Sequence, residues 1–161
     1  MLDACSIINL INGGCIDKVV SASYNDYFVG DVVLEHEMIN PLQRLVIQAL
    51  ITKGHVGVLR SSVPFSTVIA FQEKYNLGIG ETECIVLCKK QGYAVCSDDR
   101  KASKTAIREL GSGRVLTSLR LLKDAVANTV LLCAEAIECY SQMLEKGGFL
   151  PTNLDESYFC Q

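Results

Sequence analysis

The stretch Leu77-Gly78-Ile79-Gly80-Glu81-Thr82-Glu83-Cys84-Ile85-Val86-Leu87-Cys88, followed by Gly92-Tyr93-Ala94-Val95-Cys96-Ser97-Asp98-Asp99-Arg100, decides how this chain is read. A glycine-rich entry leads into a helix with Glu81 in its first turn. Ile85, Leu87 and Cys88 sit on or near one face of that helix, Glu81 stands four residues before Ile85, and Thr82 and Glu83 fall toward another side. After a short turn, residues 93–96 form an apolar, partly β-branched run, the pattern of a buried parallel strand. Ligands of open α/β sheets gather beyond the carboxyl ends of strands. Asp98 and Asp99 stand at such an end, and with Glu81 they make a nest suited to a divalent cation. Taken singly, each acid has a plainer role: Glu81 complements a helix dipole, and Asp98 or Asp99 caps the helix beginning near Arg100.

Working outward, 161 residues suit one domain, 1–161, with a single core and a less regular tail from about 147. A hydrophobic content of 49% and a mean hydropathy of +0.25 mark a folding chain. The longest apolar run, 126–133, is broken by Asn128 and Thr129 and is too short to span a bilayer. Asp3 sits at the very front with neither a basic leader nor an apolar stretch, so no signal peptide is read. A cytoplasmic protein without membrane contact is expected. The net charge of −3 gives no global attraction to nucleic acid, although bound metal would neutralise acidic site residues. Eight cysteines lack any C-x-x-C pair, and His36 and His55 lie far from them in sequence. All eight are expected to be reduced thiols, without zinc.

Toward the amino terminus, Asp3 would end a first strand that is either very short or begins upstream. Helices are expected over 4–11, stopped by Gly13-Gly14, and over 16–23. Tyr24-Asn25-Asp26 is turn chemistry and 27–29 a short strand. Asp31 caps a helix bearing Glu35, His36 and Glu37, which Pro41 breaks near Asn40. A helix over 42–53, a strand over 55–59 and a helix over 63–75 follow. Beyond the central stretch come a helix over 101–110, a strand over 114–116, and helices to 127 and over 130–146. Helices interleaved with apolar strands imply a parallel sheet with helices on both faces.

In this order the residues resemble PIN-domain nucleases, especially the compact prokaryotic kind that includes VapC-type toxins. Leu2-Asp3-Ala4-Cys5-Ser6-Ile7-Ile8-Asn9-Leu10 is similar to the family's first motif, Gly80-Glu81-Thr82-Glu83-Cys84-Ile85-Val86-Leu87-Cys88 to its G-E-x-x-[A]-I-x-L-A helix, and Val95-Cys96-Ser97-Asp98-Asp99-Arg100 to its strand-end motif. The second acid is read as Glu37, from Leu34-Glu35-His36-Glu37-Met38, with Glu35 the alternative because His36 replaces an expected apolar residue.

The resemblance implies a three-layer α/β/α sandwich with a central, mainly parallel sheet. In it Asp3, Glu37 (or Glu35), Glu81 and Asp99 converge as catalytic acids, and Asp3, Glu81, Asp98 and Asp99 hold Mg²⁺ or Mn²⁺. Hard all-oxygen ligands suit those ions, and a metal-activated water then hydrolyses an RNA phosphodiester. Arg100, Lys101, Lys104 and Arg108, with Arg114, Arg120 and Lys123 beyond, offer phosphate contacts or simply a solvated face. A toxin of a toxin–antitoxin pair is one such nuclease, which brings an antitoxin or inhibitor protein and a homodimer among the partners to consider. The alternative is a non-catalytic PIN-like interaction module. A phospho-acceptor receiver domain fits poorly, because here the acidic pair follows a late strand.

Overall fold

The computed structural model describes residues 1–22 and 25–160. Ser23 and Tyr24, where the second helix was expected to meet its turn, lie outside the described residues, as does Gln161. The elements run α1 (Ala4–Asn12), α2 (Ile16–Ser21), β1 (Tyr27–Gly30), a π-helical turn (Val33–Glu37), α3 (Pro41–Thr52), β2 (Val56–Leu59) and α4 (Phe65–Tyr75). There follow α5 (Ile79–Gln91), β3 (Val95–Cys96), α6 (Arg100–Leu110), β4 (Val115–Leu116), α7 (Ser118–Ala127), α8 (Cys133–Glu145) and α9 (Glu156–Phe159).

Helix starts follow local chemistry. Asp3 Oδ1 accepts from Ala4 N, Asn40 Oδ1 from Leu42 N, Asp99 Oδ1 from Ala102 N, and Thr117 Oγ1 from Arg120 N. The break near Asn40 is present, and Pro41 opens α3, where its missing N–H would have no intrahelical partner. The expected helix after Asp31 closes early as a single wide turn, with Met38 N donating to Val33 O at 3.0 Å. The less regular tail from about 147 runs without helix or strand to Asp155, which caps the four-residue α9.

Strand β1 pairs with β2 in parallel, from Tyr27 opposite Val56 to Gly30 opposite Leu59. Strand β3 pairs with β4 in parallel over two residues each. Leu2 lies between the pairs and bridges Val29 on one side and Cys96 on the other, both in parallel. The fold is therefore mixed helix and strand, 63% helical, with small parallel sheets. The named strands make two two-stranded sheets and do not by themselves build the continuous central sheet expected from the sequence. The reason is length: the amino-terminal segment contributes one bridging residue, and Tyr93 N returns to Cys88 O to finish α5 before β3 begins.

Leu2, Ile7, Leu10, Val29, Ile47, Ile85, Leu122, Met143 and Phe159 are among the fully buried side chains. Helix α5 is buried from Thr82 through Cys88, so Thr82 and Glu83 do not face outward as a one-sided helix would require.

The cysteine expectation needs correction. Cys133, the first residue of α8, and Cys160, just past α9, form a disulfide with Cα atoms 5.6 Å apart. Cys5, Cys15, Cys84, Cys88, Cys96 and Cys139 are free. A separation of 27 residues leaves no local spacing signal. The two sulfurs meet because buried Phe159 docks α9 against Tyr140 of α8.

Candidate active site

Asp3 emerges from the bridge between the two sheets and is 1% exposed. Its Oδ2 accepts from Ser97 Oγ at 2.7 Å and from Cys5 Sγ at 3.2 Å, while Oδ1 takes the first amide of α1. Burial pushes its carboxyl above the usual range; the hydrogen bonds oppose that shift and the nearby Asp99 charge adds to it.

Glu37, at the end of the π-helical turn, accepts from Gly80 N at 3.1 Å. A Cβ at Gly80 would lie 2.2 Å from the Glu37 carboxyl carbon, so only glycine lets the two segments approach this closely. Glu81 Oε2 accepts from Gly78 N at 2.9 Å and so satisfies the amide at the start of α5. Burial also raises the Glu37 and Glu81 carboxyls. Asp3 and Glu81 add to the shift of Glu37, and Asp3 and Asp99 to that of Glu81. Asp3, Glu37 and Glu81, from three separate segments, thus each feel the charge of another acid, with Asp99 among the neighbours of Asp3 and Glu81.

Asp98 is turned elsewhere. Its Oδ2 accepts from Asn9 Nδ2 and its Oδ1 from Ser118 N, each at 2.8 Å, so it ties α1 and the start of α7 to the end of β3. Glu35 is largely exposed, with its nearest ionic neighbour the adjacent His36 at 4.0 Å.

The cations divide in the same way. Arg114 donates to Tyr93 O and Cys88 O, Lys101 to Asn76 O, and Arg120 pairs with Asp124. Arg108 lies over the Tyr75 ring and Lys123 over the Tyr158 ring. Arg100 and Lys104 remain on the wall of a groove of about 1040 Å³ that Asp98 and Asp99 also line. Ser97, Cys5 and Asn9, which hold Asp3 and Asp98, lie inside the motif stretches quoted above, but their spacing alone gave them no role.

Among the described residues, Glu37 Oε2, Glu81 Oε1 and Asp99 Oδ2 accept no hydrogen bond. These open oxygens, and Asp3, are carboxylate donors of the hard kind that suits Mg²⁺ or Mn²⁺. No three His, Cys, Asp or Glu side chains among the described residues stand close enough to hold an ion as placed. Comparison with protein-family models, with curated proteins and with solved structures finds no match to this chain.

Proposed function

We propose that the chain is a PIN-like, metal-dependent ribonuclease that hydrolyses phosphodiester bonds at Asp3, Glu37, Glu81 and Asp99. What supports this best is that Glu37, Glu81 and Asp99 each keep an oxygen open while Asp3, Glu37 and Glu81 lie within reach of one another's or Asp99's charge. Carboxylates within reach of one another's charge favour either protons or a cation, and near neutral pH a cation relieves them better. Asp3, Glu81 and Asp99 would hold Mg²⁺ or Mn²⁺, which supplies water activation and offsets charge on the leaving oxygen. Glu37, fixed over Gly80, orients the attacking water through its open oxygen. Arg100 and Lys104 bind RNA phosphates along the groove. Asp98 braces Asp99 instead of binding metal.

In the same reading, the two strand pairs and the Leu2 seam act as one central sheet between helix layers, and the protein works in the cytoplasm. Exposed Ile39, Leu42 and Leu45 next to the Glu37 turn support a protein partner, either an antitoxin-like inhibitor or a second copy. The spread of the acids favours the second reading, a non-catalytic PIN-like interaction module. The deciding experiment incubates purified protein with a mixed RNA pool and with DNA, with Mn²⁺, Mg²⁺ or EDTA. EDTA-sensitive cleavage of RNA supports the nuclease. A folded protein that cleaves neither substrate in any metal hands the function to the interaction module.

A further inference from the structure

The groove beside the acids has a wall that is not part of the acid-bearing framework. One side is α1 and α6, through Ile8, Asn9, Arg100, Lys104 and Ile107. The other is the tail, through 147–151, Leu154 and Tyr158. Gly148 reaches so close to α1 that a Cβ there would lie 2.8 Å from Asn9 Oδ1, the same side chain that holds Asp98. The position of the tail therefore sets how far the groove opens.

Noncovalent ties hold that tail at both ends. Near its start, Gly148 N donates to Met143 O at 2.9 Å, and Tyr140 Oη donates to Pro151 O. Near its end, Phe159 is buried against Tyr140, and Lys123 sits over Tyr158. The hydrogen bonds of Asp155 between them are local to α9. The covalent tie is the Cys133–Cys160 disulfide, whose Cys160 is exposed and Cys133 only half-buried. A thiol in solution reaches an exposed sulfur far more readily than a buried one.

We propose that the Cys133–Cys160 disulfide is a thiol-reversible latch that holds the tail wall against the groove, and that a dithiol reductant releases it. One thiolate of the reductant attacks Cys160 Sγ, the Cys133–Cys160 bond breaks, and the departing Cys133 thiolate takes up a proton. The second thiol of the reductant then displaces Cys160, which also leaves as a thiolate and is protonated. Two electrons and two protons pass to the protein, and the reductant becomes a disulfide. The reverse step closes the latch at the expense of a disulfide oxidant. This inference goes beyond the nuclease reading and stands or falls without it.

Cys5 gives an internal reporter, because it lines the groove and is the free cysteine that is not buried. Two measurements on the full chain test the latch. Hydrogen exchange is followed in the oxidised protein and after dithiothreitol treatment, and iodoacetamide labelling of Cys5 is compared between the oxidised protein and Cys133→Ser/Cys160→Ser. The expected result is exchange at least about tenfold faster on release across 147–160, with α1 and α5 unchanged. Cys5 labelling should rise roughly fivefold in the double variant. Equal tail exchange in both states overturns the latch. Exchange that rises alike in α1, α5 and the tail overturns it too, by showing a general cross-link. An intact mass of the unreduced protein matching eight thiols removes the bridge itself. Should the serine variant fail to fold by circular dichroism, the dithiothreitol arm decides alone. None of these readouts requires cleavage, so a failed nuclease assay leaves the test intact.

Discussion

Glu81 and Glu83 share the first turns of α5, and Asp98 and Asp99 are consecutive, yet within each pair the two carboxylates meet different environments. Glu81 and Asp99 each spend one oxygen on a helix-start amide and keep the other open. Glu83 is buried, and both oxygens of half-buried Asp98 are taken by neighbouring helices. Asp98 satisfies its charge with two donors. Glu83 is 1% exposed; one of its oxygens accepts from Val32 N at 3.2 Å and the other has no partner. It also crowds Gly30, where a Cβ would sit 2.1 Å from its Oε2. Burial, with the neighbouring Asp31 carboxyl sharing a hydrogen bond, pushes Glu83 up to about 8. A carboxyl inside a protein is therefore neutralised in one of three ways: by donors, by a proton or, where oxygens stay open, by a cation.

The sharpest way to break the comparison is Asp99→Asn. Loss of an open ligand charge should lower metal-dependent cleavage by about two to three powers of ten while the thermal melt is kept. An active Asp99→Asn would move that open site elsewhere. Next in size is Gly80→Ala. Its methyl group would displace the Glu37 carboxylate, and kcat is expected to fall about ten- to a hundredfold. Stability should change little, because alanine favours a helix by up to about 1 kcal/mol over glycine. Full activity in Gly80→Ala would remove Glu37 from the site.

The proton-neutralised acids make a third test. A carboxyl whose pKa is higher in the fold than in the unfolded chain binds its proton more tightly when folded. Its contribution is fully present below the unfolded value and is lost as pH rises through the folded one. Asp3, Glu37 and Glu81 share the upward direction, and Glu83 moves from 4.5 to about 8. With EDTA present, stability should decline across that window. Glu83→Gln should flatten the decline and leave the variant more stable at pH 8, by an amount on the order of a few kcal/mol. Urea melts at several pH values read this directly, and superimposable wild-type and variant curves would mean that Glu83 holds no extra proton.

Asp98→Ala tests the donor-neutralised acid. It leaves Asn9 and Ser118 N without their acceptor and should cost about 1 to 3 kcal/mol of stability. Its effect on cleavage should be smaller than that of Asp99→Asn, and the reverse order would exchange the roles of the two aspartates. The smallest effect belongs to Glu35→Gln, which alters an exposed side chain and should leave both melt and cleavage within error. A strong loss of activity there would make Glu35, the alternative, the second acid.

Local chemistry by itself was enough for the break before Pro41, for a helix starting near Arg100 with an aspartate cap and for the positions of most strands, while which of Asp98 and Asp99 caps that helix was read only from the structure. Each depends on residues within three or four positions of one another. The positions of Asp3, Glu81 and Asp99 at strand ends or helix starts were legible for the same reason. Three things were decided only in three dimensions. The contact of Glu37 with Gly80 N depends on a missing Cβ at Gly80, 43 residues away, while Glu35 stays exposed. The turning of Asp98 away from Asp99 depends on Asn9 and Ser118, which come from two other helices. The Cys133–Cys160 bridge depends on where Phe159 docks. Pairings of this kind leave no periodicity in the chain, because the side chains that meet are set by how whole elements pack and not by their spacing in sequence.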